Sequence, residues 1–157
     1  MFPLRDENPT VHASAATFTL IGLNVAAWAV LQGFGSEPAL SHSICELGTI
    51  AGEVLGTVAP GTRIPLGSVD CVISGEPDWF STVTSMFMHG GWFHLIGNLW
   101  FLSVFGDNVE DSMGHLRFTV FYLVCGLAAV AAQFVSNPGS EIPLVGASGA
   151  IGGVMGA

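Results

Sequence analysis

Four stretches of the chain contain no Asp, Glu, Lys or Arg: 13–36, 79–106, 118–140 and 142–157. Charged and turn-forming residues collect between them. A bilayer core about 30 Å thick is crossed by about 20 predominantly apolar residues in helical form. The first three stretches are long enough to span, and the fourth is not. The pattern predicts a helix over 13–35, with Leu20, Ile21, Leu23, Val25, Trp28 and Leu31 as its apolar body, a second over 85–105, and a third over 118–135. The start of a fourth helix is expected over 146–157. The fold class is therefore all-α, a polytopic membrane helix bundle. The first helix reads as uncleaved rather than as a signal peptide. Its approach carries Arg5 beside Asp6 and Glu7, and no small-x-small site ends the run.

Composition agrees with this class. Of 157 residues, 3 are Lys or Arg and 12 are Asp or Glu, so 10% are charged, against about 25% in ordinary soluble domains. A net charge of -9 excludes a nucleic-acid binder that works by phosphate neutralisation and a polybasic lipid anchor. Membrane lipid is the expected surroundings. Most of the acidic excess lies in the long connection 36–78, where Glu37, Glu46, Glu53, Asp70, Glu76 and Asp78 face Arg63 alone. That is the composition of a wet loop, and its Ile44, Leu47, Ile50, Val54, Leu55 and Val58 suggest an element partly at the interface. Residues 106–117 (GDNVEDSMGHLR) read as a polar turn, and Asn137-Pro138-Gly139 as another. Arg5 in the stub 1–12 and Arg117 in the turn outnumber Arg63, so the positive-inside rule places the N-terminus in the cytoplasm and the loop outside. Cys45 and Cys71 lie in that loop. They are either a disulfide, if the loop faces an oxidising compartment, or two separate thiols. Cys125 reads as a small buried hydrophobe, and no metal-ligand spacing or cofactor motif occurs.

Three features inside the apolar runs call for an explanation. His94 and Asn98 stand four residues apart, on one helical face, and buried polar groups need partners. They either stitch helices together or mark a functional site. The segment Gly146-Ala147-Ser148-Gly149 opens the fourth helix. Ser148 is either an ordinary N-cap or a hydroxyl held beside free backbone N–H groups able to stabilise an oxyanion. Behind it, Gly149-xxx-Gly153 and Gly152-xxx-Gly156 form a small-residue face suited to close helix approach. With Gly97 as a second low spot, that face would pair the second and fourth helices and bring Ser148 near His94 and Asn98.

Taken together, these blocks resemble the rhomboid intramembrane serine proteases. PLRDENPT near the start is similar to the opening of many bacterial members. TSMFMHGGWFHLIGN (84–98) is similar to the second-helix signature containing H-x-x-x-N. FGDNVEDSMG (105–114) is similar to the turn after it, and GASGAIGG (146–153) to the block bearing the nucleophile. The resemblance implies that Ser148 is the nucleophile and that His94 and Asn98 donate to the oxyanion, joined by the Ser148 N–H. His89 would shape the site with Gly146 and Gly149 in support, and Glu110 would be structural. It further implies an integral protein of the bacterial inner membrane, substrates that are themselves transmembrane proteins, and no cofactor or metal.

The chain departs from that pattern in one important way. A serine hydroxyl needs a general base, which the family takes from a histidine on a later helix. Here nine residues follow Ser148, and none is histidine. A helix from Ser148 to Ala157 would reach about 15 Å and leave its last carbonyls unsatisfied in lipid. The expectation is an incomplete rhomboid domain of about three and a half of six core helices, inactive by itself. The Trp-Arg pair of many members is also missing, since DWFSTV (78–83) has no Arg. Two rivals are a rhomboid-like protein that binds membrane helices without cutting them, and a small channel with a polar path through His89, His94 and Asn98.

Overall fold

The computed structural model describes residues 13–157, so the stub 1–12 and its PLRDENPT block lie outside the described residues. The first helix, α1, runs Ala15–Val30 and is shorter than the predicted 13–35. It gives way to a three-residue 3-10 turn at Gly33–Gly35, because the Gln32 side chain is drawn fully inside to bond another segment.

The predicted 36–78 loop is a built unit. It holds α2 (Ala39–Leu47), a one-turn α3 (Ala51–Val54), and a hairpin of β1 (Arg63–Leu66) with β2 (Val69–Val72). The strands pair antiparallel, Arg63 opposite Val72 and Leu66 opposite Val69. Ile44, Ile50 and Val54, expected at an interface, are instead buried inside it. Cys45 and Cys71 are disulfide-bonded, with Cα atoms 5.3 Å apart, and tie α2 to β2. Glu37 accepts hydrogen bonds from the Ser41 and Ser68 hydroxyls, joining the start of α2 to the hairpin turn. Those donors hold its carboxyl below the usual carboxylate range.

A short α4 (Ser81–Thr84) and a 3-10 turn (Ser85–Phe87) precede α5, Trp92–Met113. The predicted second helix over 85–105 therefore starts late and runs on. The predicted turn at 106–117 is helical on both sides of Gly114, which sits at φ +80° between α5 and α6 (His115–Ser136). The reason is local. The segment contains no proline, and Glu110 turns inward, where it is 1% exposed. There it accepts the Ala16 N–H, the Thr17 N–H and the Thr17 hydroxyl at 2.7–2.8 Å. It thus satisfies first-turn donors of α1 that no helical carbonyl can reach.

The last helix, α7, runs Ser148–Met155. Leu20, Met86, Leu102, Phe118, Tyr122, Ala147, Ala150, Ile151 and Val154 form the core between α1, α5, α6 and α7. The small-residue face of α7 lies on α6, not on α5 as the spacing suggested. A Cβ on Gly149 would stand 2.5 Å from the Ala129 Cβ, and one on Gly153 would collide with Cys125. Gly97 and Gly152 have nothing within 4 Å of their Cβ positions. Among the described residues, α6 is the one helix both long and apolar enough to cross a membrane, and α1 is a shorter apolar helix. The long α5 fails on apolarity because it carries His94, Asn98, Asp107 and Asn108.

Candidate active site

Met88, His89, Gly90 and Gly91 separate the 3-10 turn from α5, and His89 and His94 stand face to edge with ring centroids 5.2 Å apart. His89 is fully buried. Its position is set through its backbone: the His89 N–H donates to Gln32 Oε1 at 2.9 Å, and Gln32 Nε2 donates to the His89 carbonyl at 2.8 Å. Both ring nitrogens of His89 lack a protein partner among the described residues.

His94 Nδ1 accepts the Gly90 N–H at 3.3 Å. An imidazole nitrogen that accepts leaves the proton on the other nitrogen, so His94 Nε2 is a donor. It points at Gly146. A Cβ built on Gly146 would lie 2.5 Å from His94 Nε2 and 3.6 Å from Asn98 Nδ2. Only a residue without a side chain fits there, and φ +117° at Gly146 makes the same demand. The Asn98 amide nitrogen is buried and has no hydrogen-bond acceptor among the described residues. Two side-chain nitrogens one helical turn apart thus lie close to Gly146, just before α7.

Ser148 is the first helical residue of α7 and is exposed. Its hydroxyl has no hydrogen-bond partner among the described residues, and α7 offers it the free first-turn N–H groups of a helix start. Ser148 lines a cavity of about 130 Å³ together with Ser85, Gly126, Gln133, Gly146 and Gly149. His94 and Asn98 are not among the residues lining it. The structure therefore gathers His89, His94, Asn98 and Gly146 into one cluster and sets Ser148 two residues beyond it, with Gly149 seated on α6.

Several residues that build the site carried no signal in the sequence. Gln32 is a single amide within the uncharged stretch 13–36. Thr49 and Ser85 are ordinary small polar residues, yet both are buried and hydrogen-bonded to each other at 3.0 Å. The one clue available was position, since Ser85 falls inside the block resembling the second-helix signature.

Residues 76–157 match the family model of the Rhomboid domain. Among curated proteins, the chain is 38% identical over 79 residues to Rhomboid-like protein 11, chloroplastic, of Arabidopsis thaliana, covering 50% of this chain and 28% of that one. It is 30% identical over 104 residues to RHOMBOID-like protein 5 of the same plant, covering 66% and 33%. It is 33% identical over 102 residues to Rhomboid protease GluP of Bacillus subtilis (strain 168), covering 65% and 20%. The chain thus spans about a third or less of these relatives. No solved structure gives a significant match. Plant and bacterial proteins both occur among the relatives, so the matches do not single out a bacterial type. With more than half of its length inside the matched domain, the chain belongs to the rhomboid family.

Proposed function

We propose that this chain carries the nucleophile and oxyanion half of an intramembrane serine endopeptidase acting on peptide bonds in or near transmembrane segments of other membrane proteins. The observation that carries the proposal is the convergence of His94 Nε2 and Asn98 Nδ2 on Gly146, next to the start of α7. In this reading the Ser148 hydroxyl attacks the scissile carbonyl. Negative charge develops on the carbonyl oxygen, and His94, Asn98 and the Ser148 N–H donate to it. Neutral donors aimed in advance within a dry site need no reorganisation as the charge appears. The acyl-enzyme that forms as the amine leaves is then hydrolysed by water. His94 acts as a donor and not as the base, because its Nδ1 is already occupied by the Gly90 N–H.

Family membership supports an integral membrane protein. The cytoplasmic N-terminus, the external 36–78 unit and a bacterial inner membrane are part of this proposal, and the Cys45–Cys71 disulfide supports an oxidising exterior for that unit. A serine nucleophile needs a base to take its proton. No histidine follows Ser148 in the 157 residues, so these residues alone are expected to cleave nothing.

The test is cleavage of a transmembrane peptide in liposomes by two proteins. The first is the 157-residue chain. The second is the same chain extended in frame with helices that bring a histidine to Ser148, as the family pattern places it. The extended protein cleaves, and Ser148→Ala silences it. Asn98→Ala slows it by about a hundredfold, the usual loss for one oxyanion donor. Cleavage that survives Ser148→Ala sinks the proposal.

A further inference from the structure

The segment that delivers Ser148 does not hold itself in place. Residues 140–146 contain no regular element, and Gly146 occupies a left-handed backbone position that must stay registered against His94 and Asn98. Two neighbours grip the segment. The backbone of Thr49 exchanges both hydrogen bonds with Leu144, N–H to carbonyl at 3.0 Å one way and 2.8 Å the other. The Ser85 carbonyl accepts the Gly146 N–H at 2.8 Å. A single side-chain contact joins the two grips, the Thr49 hydroxyl donating to Ser85 Oγ at 3.0 Å. Thr49 and Ser85 are 1% and 2% exposed, so neither hydroxyl has solvent to turn to.

We infer that Thr49 is a positioning residue for the nucleophile. Through Leu144 and Ser85 it fixes the backbone that seats Gly146 under His94 and Asn98 and so sets where Ser148 stands. The 36–78 unit thereby becomes part of the site. Its own rigidity, from the Cys45–Cys71 disulfide and the Thr84 hydroxyl donated to the Leu47 carbonyl at 2.8 Å, is what Thr49 transmits. The inference rests on Ser148 as the reacting residue, but its test needs neither a base nor turnover.

In the Ser148→Cys variant, a thiolate at the start of α7 is stabilised by the same donors, and its alkylation by iodoacetamide reads their alignment. Alkylation is followed by peptide mass spectrometry, with the partly buried Cys125 as internal control. Adding Thr49→Val, which keeps the shape and backbone but removes the hydroxyl, slows alkylation at residue 148 by roughly fivefold, the weight of one net hydrogen bond. Cys125 is unaffected, and Thr49→Ser restores the rate. Should Thr49→Val fail to fold, Ser85→Ala removes the acceptor of the same bond and gives the same slowing. An unchanged or faster rate in a folded variant overturns the inference. If the rate falls as expected while the extended protein of the cleavage test is silent, the positioning role stands and the protease reading fails.

Discussion

At the scale of single residues, the geometry of the site depends on Gly146 more than on Ser148. A serine at a helix start is common. A glycine with φ +117° whose Cβ would lie 2.5 Å from His94 Nε2 is not. Gly146→Ala must either push His94 off its Gly90 hydrogen bond or shift the segment ahead of α7. We expect a stability loss of about 2 kcal/mol, within the range of strained backbone positions, measured by chemical unfolding in detergent with tryptophan fluorescence. A variant as stable as the parent would show that the segment has room to move and that the cluster is not tightly held. The proposed site residues stood out in the sequence, because His94, Asn98 and Ser148 are polar groups in runs that should exclude them. The residues that place them were not. Gln32 grips the backbone of His89 across 57 positions, and Thr49 reaches Ser85 across 36. No periodicity links residues that meet only through the fold.

At the scale of elements, α1 begins on a carboxylate supplied by another helix. Glu110 accepts three donors from the first turn of α1 and also contacts His115 at the start of α6. It therefore holds three helix ends at one point. Glu110→Ala strands buried donors at about 1–3 kcal/mol each, so the midpoint of unfolding falls sharply. Glu110→Gln, which keeps one acceptor oxygen, recovers part of the loss. Equal midpoints for Glu110→Ala and the parent would contradict this role. The apolar runs located α1, α5 and α6 but misjudged their ends. Helix α5 continues through the charged stretch to Met113 because Glu110 is directed inward, and only Gly114 breaks it. The glycine face of α7 was visible as a pattern, yet a small-residue stripe does not name its partner. Ala129 and Cys125 on α6 fill it. The 36–78 unit was read as a wet loop because its helices and strands are short, and its disulfide closes a separation of 26 residues that spacing alone could not assign.

At the scale of the whole molecule, two bodies meet at the start of α7. One is the helical group α1, α5, α6 and α7. The other is the disulfide-tied unit of α2, α3 and the hairpin, docked through Thr49. Donors from the helical body and register from the loop unit converge on one short segment, an arrangement that makes sense if Ser148 performs acyl transfer there. Under that proposal a base would also have to reach Ser148. The most direct measurement is labelling by an active-site-directed fluorophosphonate, localised by peptide mass spectrometry. The 157-residue chain is expected to label no more than its Ser148→Ala variant. The histidine-extended protein is expected to label at Ser148, about a hundredfold more slowly in Asn98→Ala. Strong labelling of Ser148 in the chain alone, or labelling of the extended protein at any other residue, would contradict it.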